Sequence, residues 1–204
     1  MIQKGELMMK KVLIILIAII VIAFGINLFL PNAVRTTGDL PKINYTETFN
    51  QDKPEYFVYF WQENCSFCKL FEPDILEAHR NGVPIFVVDI ARTNVVNLGA
   101  WYDWDAHHEE HDVVIGNVIN GQHVLNEGED EALYPAEEGW SIEVQPNGEI
   151  VAVLNRAFNN LEPQTAEEIE IAGTPSLIRI KNGQFAGFAT GGEEGLELLN
   201  QFGK

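Results

Sequence analysis

The sequence predicts an α/β fold: a central mixed sheet flanked by helices, with an inserted β-rich subdomain and one transmembrane helix ahead of it. The first observation is a strand-like, helix-like, strand-like order over residues 55–90, which is typical of parallel strands joined by a crossover helix. The second is a set of three hairpin signals further along the chain, two of them inside an acidic region that begins after Arg92. The third is an uncharged apolar run over residues 12–30.

Length and charge narrow the class of protein. A chain of 204 residues with 46% apolar residues suits one ordinary domain with additional segments. The formal net charge of −17 argues against nucleic acid as a partner.

The apolar run at 12–30 contains nineteen residues, follows Lys10 and Lys11, and is stopped by Pro31. A helix of that length, at about 1.5 Å per residue, nearly crosses a hydrocarbon layer of about 30 Å. Lysines mark the cytoplasmic side, so we expect residues 1–31 to form a cytoplasmic tip and a single-pass signal anchor in the membrane, with the remaining chain on the extracytoplasmic side. A cleaved signal peptide is the alternative, although its apolar part is ordinarily only about 7–15 residues long.

Residues 32–54 are polar and contain helix-breaking glycine and proline, which predicts a tether with a short helix near 47–51 that leads into the domain. Residues 55–61 form a near-continuous apolar and aromatic run, the pattern of a strand buried on both faces. Residues 83–90 predict a second buried strand, parallel to the first.

Between these strands, residues 65–80 predict a helix that ends at Asn81-Gly82. Its apolar side is predicted to be Leu70, Phe71, Ile75 and Leu76.

The two cysteines of the chain, Cys65 and Cys68, flank Ser66-Phe67 where the first strand gives way to this helix. That spacing is typical of half a zinc site or of a redox pair, and the chain has no second cysteine pair to complete a zinc site. A helix N-terminus stabilises an anion, so Cys65 is the predicted thiolate that attacks a disulfide, and Cys68, one turn further on, the resolving cysteine. A static disulfide or two unreactive thiols is the alternative interpretation.

The region 93–155 contains no Lys or Arg but 13 Asp and Glu. Residues 94–106 are predicted to be helical, and Asn120-Gly121 and Pro146-Asn147-Gly148 predict two hairpins. The region is therefore predicted to hold a small sheet of its own, with Trp101, Trp104 and Trp140 in its core.

Two groups in this region are weak candidates for metal binding. His107 and His111 stand at i, i+4, which would place both rings on one helix face. Their surroundings suit a solvated acidic helix end better than a metal site. Glu127, Glu129, Asp130 and Glu131 lack the ligand spacing of an EF-hand loop.

The remaining chain returns to the first pattern. Residues 164–171 predict a short helix, residues 176–180 and 184–188 a third hairpin around Lys181-Asn182-Gly183, and residues 193–202 a closing amphipathic helix.

These features together resemble the thioredoxin family over residues 44–92 and 164–203. The resemblance is carried by Trp61 ahead of the cysteines, Lys69 and Pro73 after them, Gly173-Thr174-Pro175, Lys181-Asn182-Gly183 and Gly191. It implies a thioredoxin-like domain in two parts, 55–92 and 164–204, interrupted by an acidic insertion, 93–163. It also implies a cis peptide bond before Pro175, a substrate groove shaped by Thr174 and Pro175 in which the Thr174 backbone pairs with substrate, and substrate contacts from Trp61, Ser66 and Phe67.

The chain departs from the family at two active-site positions. The family usually has a buried aspartate six residues before the first cysteine, and this chain has Tyr59. Between the cysteines, Ser66-Phe67 replaces the Gly-Pro of cytosolic thioredoxins and the histidine-containing pair of many oxidases. The sequence therefore leaves open whether the pair oxidises, reduces or isomerises.

The function predicted is thiol–disulfide exchange on exported proteins, with the cysteine pair as the redox-active group, no further cofactor, and a redox partner that recycles the pair. The alternative is a binding or accessory module that keeps the fold and uses the acidic insertion to hold a partner or a metal.

Overall fold

The computed structural model describes residues 34–204, and its strands form two separate sheets. The strands are β1 (Glu55–Trp61), β2 (Ile85–Asp89), β3 (Val113–Ile119), β4 (Gln122–Leu125), β5 (Trp140–Val144), β6 (Glu149–Leu154), β7 (Ser176–Lys181) and β8 (Gln184–Thr190). The first sheet has the order β2-β1-β7-β8, and the second β4-β3-β6-β5. Strand β1 pairs parallel with β2 and antiparallel with β7, so the predicted mixed sheet and α/β class are confirmed.

Three α-helices accompany the strands within the described part of the chain: α1 (Ser66–Arg80), α2 (Trp104–His111) and α3 (Gly192–Leu199). The single helix predicted over 94–106 is wrong. A 3-10 helix, Val95–Ala100, is followed by a break, because the side chain of Asp103 accepts from the amide of Ala106 and starts α2 there. The helix predicted over 164–171 is only a 3-10 turn, Ala166–Glu168, and α3 is shorter than predicted.

Strand β1 is the centre of the first sheet because its side chains are buried on both faces. One face carries Tyr56, Val58 and Phe60 into a cluster with residues of β2 and β7. On the other, Tyr59 packs edge-on against Phe71 of α1, with ring centroids 6.0 Å apart. The prediction for α1 is confirmed for Phe71, Ile75 and Leu76, which are buried, and is wrong for Leu70, which is 75% exposed.

The segment before β1 packs on the domain over much of its length. Thr37, Leu40 and Thr48 are buried, and Lys42 forms a parallel bridge with Val87 of β2. Its 3-10 helices are Thr37–Asp39 and Tyr45–Glu47, so the short helix predicted at 47–51 lies a few residues earlier.

The second sheet lies within the predicted acidic insertion and confirms both hairpins. Asn120 and Gly121 have φ of 52° and 77° at the β3–β4 turn, the left-handed conformation that an Asn-Gly hairpin needs. Ile115, Ile150 and Ala152 form its core, with Trp140 packed against them as predicted. Trp101 was wrongly assigned to this core, because it packs on the cluster of the first sheet and donates from Nε1 to the carbonyl of Ile90 at 2.7 Å.

The predicted membrane segment at 12–30 lies outside the described residues. Over 34–204, no helix is both long enough and apolar enough to cross a bilayer.

Candidate functional site

Cys65 is the N-cap residue of α1. Its backbone is extended, with φ −80° and ψ 115°, and its Sγ accepts a hydrogen bond of 3.0 Å from the amide of Cys68. The strand must end at Trp61 and turn before α1 begins, which leaves Cys65 over the unpaired amides of the first helical turn. Those amides and the helix dipole favour a thiolate at Cys65.

Cys65 and Cys68 are joined in a disulfide, and their exposure differs. Cys68 is 0% exposed, whereas Cys65 is half-buried and reaches the surface. Only Cys65 can therefore meet a second protein's sulfur directly, and Cys68 can reach only its neighbour.

The loop around Thr174 and Pro175, which is more than 100 residues later in the chain, lies against Cys65. The Thr174–Pro175 peptide bond is cis, as the resemblance implied. The carbonyl oxygen of Thr174 lies 3.4 Å from Sγ of Cys65, and the side-chain amide of Gln62 donates to the Thr174 hydroxyl at 3.1 Å. The amide of Gly191 donates to the carbonyl of Pro175 at 2.8 Å, which ties the loop to the start of α3.

An open groove of about 470 Å³ runs beside the cysteines, between α1 and this loop. Its lining includes three predicted substrate residues, Phe67, Thr174 and Pro175. Phe67 is 68% exposed and stands beside the exposed Leu70, so two large apolar side chains border the groove. The lining also includes Asp74 of α1 and, at the end of β8 and the start of α3, Thr190, Gly191 and Gly192.

Trp61 and Ser66, the other two predicted substrate residues, do not line that groove. Trp61 is half-buried at the end of β1, with Nζ of Lys42 6.0 Å from its ring centroid. Ser66 is exposed at the first position of α1. Their contact with substrate stays a prediction.

Sequence reasoning missed Gln62, Leu70 and Asp74. The sequence does carry a signal for Leu70, because this apolar residue does not share the helical spacing of four residues that separates Phe71 from Ile75. Gln62 has no sequence signal, since its partner Thr174 is 112 residues away.

Tyr59 stands where the resemblance would place a buried carboxylate. It is 0% exposed, and its hydroxyl has no hydrogen-bond partner among residues 34–204. Burial, and next the charge of Glu72, raise the pKa of Tyr59 far above its ordinary value. The hydroxyl is therefore a permanent donor at neutral pH and cannot act as a base.

The weak metal candidates have other roles. His107 is buried, with Nδ1 2.9 Å from the hydroxyl of Tyr102 and Nε2 2.9 Å from the carbonyl of Leu154, so both ring nitrogens are engaged. His111 packs its ring against His107 and Phe158. Within 34–204, no group of three or more His, Cys, Asp or Glu side chains could hold a metal ion.

Comparisons with known proteins add little to this geometry. No protein-family model matches the chain, and no curated protein is similar to it. Among solved structures it is similar to thioredoxin f2 of Chlamydomonas reinhardtii, at 13% identity and a TM-score of 0.35, over 80% of this chain and 96% of that one. A likeness at that identity and TM-score does not identify the function of this chain.

Proposed function

We propose that the chain is a thioredoxin-like thiol–disulfide oxidoreductase in which Cys65 attacks and Cys68 resolves. One observation carries the proposal: the accessible Cys65 caps α1 and accepts from the amide of a fully buried Cys68. A structural disulfide has no need of one sulfur at the surface over a helix N-terminus. A redox pair needs both the accessible thiolate and the shielded partner.

In the reductive direction, the Cys65 thiolate attacks a substrate disulfide, a mixed disulfide forms, and the first substrate sulfur leaves as thiolate. Cys68 then loses its proton and attacks Sγ of Cys65. The Cys65–Cys68 disulfide forms, the second substrate sulfur leaves, and two electrons have passed to the substrate. The oxidative direction is the reverse of these steps.

Substrate recognition is assigned to the groove and to the Thr174 loop. An extended substrate segment would pair with the Thr174 backbone and set an apolar side chain between Phe67 and Leu70. The substrates proposed are exported proteins, with the chain held at the membrane by residues 12–30 and recycled by a redox partner on the extracytoplasmic side.

Equilibration with redox buffers of stepped potential tests whether the pair is a working couple. The fraction of Cys65–Cys68 disulfide should change reversibly with buffer potential. A reduction potential of the Cys65–Cys68 pair near that of DsbA, about −120 mV, would favour an oxidase. A potential near that of thioredoxin, about −270 mV, would favour a reductase. A pair that stays oxidised at every potential in the folded protein would contradict the proposal.

A second candidate function, a binding module, is favoured by exposed apolar side chains on the second sheet. Strand register places Val114 opposite Val151 and Val124 opposite Asn117, and Val114, Ile119 and Val124 are each about half exposed. The surrounding region contains no Lys or Arg, so the partner would be an apolar segment with basic flanks. Tight stoichiometric binding of such a partner, without disulfide turnover, would favour this function.

A further inference from the structure

The second step of the proposed exchange needs a base near Cys68. This thiol is 0% exposed, and burial disfavours its conversion to thiolate. Tyr59, beneath α1, stays protonated and cannot accept the proton. The base must therefore be a residue other than Tyr59, either on α1 or on an element packed against it.

Glu72 meets that requirement by position. It follows Cys68 by four residues in α1, so the two side chains stand one turn apart on the same helix face. It is half-buried, and its charge contributes, after burial, to the raised pKa of Tyr59 in β1.

One hydrogen bond holds the carboxylate in place. Oε2 of Glu72 accepts a hydrogen bond of 2.6 Å from the amide of the buried Thr37. The hydroxyls of Thr37 and Tyr59 are both buried without a hydrogen-bond partner in the described chain. Glu72 is thus held by the backbone of a residue, Thr37, whose own hydroxyl has no hydrogen-bond partner in the described chain.

The other titratable groups on α1 and on the elements packed against it lie further from Cys68 or are exposed. On α1, Asp74, Glu77, His79 and Arg80 lie toward the C-terminal end, and α3, which packs against α1, carries the exposed Glu193, Glu194 and Glu197. Lys69 lies one turn before Glu72 on α1 and is exposed. The segment that packs against α1 carries Asp39, whose carboxylate accepts from the amide and hydroxyl of Thr36, and is preceded by Arg35. None of these lies on the Cys68 face of α1 within one turn of Cys68, and His79, whose Nδ1 is buried, is about three turns away.

We propose that Glu72 accepts the proton of Cys68 during resolution of the mixed disulfide. The inference rests on the proposed exchange and adds a positioning and proton-accepting residue on α1 itself, in place of a carboxylate beneath the cysteines. The Cys68 S–H bond breaks as its proton passes to Glu72, and the thiolate attacks Sγ of Cys65. The bond from Cys65 to the substrate sulfur breaks, and the substrate leaves with that electron pair. Glu72 then returns the proton to solvent, and the reverse reaction returns it to Cys68.

Reaction of the reduced protein with the small uncharged disulfide 4,4′-dithiodipyridine separates the two steps in one trace. The first thiopyridone released reports attack by Cys65, and the second reports resolution by Cys68. In Glu72→Gln we expect the second phase to be about 100-fold slower at pH 7 and to rise with pH as solvent replaces the carboxylate. The first phase should stay within about threefold of wild type.

Two variants control for charge and folding. Glu77→Gln, on the exposed side of α1, removes the same charge and should leave both phases unchanged. Glutamine keeps an oxygen that accepts from the Thr37 amide, so Glu72→Gln should remain folded. Should it fail to fold, Glu72→Asp keeps a shorter carboxylate and should give an intermediate second phase.

The inference would be overturned if the rate of the second phase in Glu72→Gln were within threefold of the wild-type rate and showed the wild-type pH dependence. The same criterion applies to Glu72→Asp if that variant has to be used. An equal slowing in Glu77→Gln would also overturn the inference. Absence of the first phase in the reduced wild-type protein would instead overturn the proposed exchange, and the inference with it.

Discussion

The side-chain amide of Gln62 donates a hydrogen bond of 3.1 Å to the hydroxyl of Thr174. This contact joins the turn after β1 to the loop that faces Cys65. Because Thr174 also sets its carbonyl oxygen 3.4 Å from Sγ of Cys65, the position of the loop affects access to that sulfur.

The Gln62–Thr174 contact is tested by a double-mutant cycle. Gln62→Ala and Thr174→Val each remove one partner, and a hydrogen bond of this kind contributes about 1 kcal/mol. In denaturant unfolding, the double variant should be less destabilised than the sum of the single variants by about that amount. Additivity within about 0.3 kcal/mol would show that the contact does not stabilise the loop.

The roles of the two cysteines predict opposite results for their serine variants. Cys65→Ser should abolish exchange, because the accessible nucleophile is lost. Cys68→Ser should trap a mixed disulfide with substrate, seen as a shifted band on non-reducing gels, because nothing resolves it. Trapping by Cys65→Ser and not by Cys68→Ser would mean that the roles are reversed.

A buried ion pair between β1 and β7 predicts a stability effect in a part of the sheet away from the cysteines. Nε of Arg179 donates to Oε1 of Glu55 at 2.8 Å, and the two side chains are 7% and 11% exposed. Glu55→Ala should lower the free energy of unfolding by about 3–5 kcal/mol, because it leaves the guanidinium buried without its charge partner. Lys181→Met, which removes a 40% exposed lysine 3.8 Å from the same carboxylate, is the control and should cost less than about 1 kcal/mol. Equal effects in calorimetry would contradict this ranking.

The acidic insertion predicts salt-dependent exchange with protein substrates. We propose that it steers a basic partner, and such steering is screened over a Debye length of about 8 Å at physiological ionic strength. The exchange rate should fall less steeply with salt when four carboxylates of the insertion are replaced by neutral residues. These are Glu127, Glu129, Asp130 and Glu131.

The same four substitutions should leave the rate with a small uncharged disulfide unchanged, since that substrate is not steered. Glu129→Gln is the substitution of choice at its position, because Oε2 of Glu129 accepts from the hydroxyl of Tyr134 at 2.8 Å and glutamine keeps an acceptor there. An equal effect on both substrates would place the action of the insertion at the cysteines and reject docking.

The parts of the fold that sequence reasoning predicted depend on local chemistry. The β3–β4 and β7–β8 hairpins follow from Asn-Gly turns whose asparagines adopt φ of 52° and 54°. Strand β1 follows from an unbroken apolar run, and the cysteine pair from its place before a helix.

The parts that it missed depend on packing between distant segments. Trp101 lies in the acidic region but packs on the first sheet, which no local pattern reveals. Leu70 has the composition of a core residue, yet the rotation of α1 set by Phe71 and Ile75 turns it outward to the groove. The role proposed for Glu72 depends on its hydrogen bond from Thr37, 35 residues earlier in a segment expected to be a tether.

The central claim is that Cys65 and Cys68 together carry out disulfide exchange, and insulin reduction in the presence of dithiothreitol tests it most directly. The wild-type protein should accelerate precipitation of the reduced insulin chains at catalytic concentration. Cys65→Ser should be inactive, and Cys68→Ser should lose turnover. Acceleration that survives in Cys65→Ser, or none in the folded wild-type protein, would contradict the account.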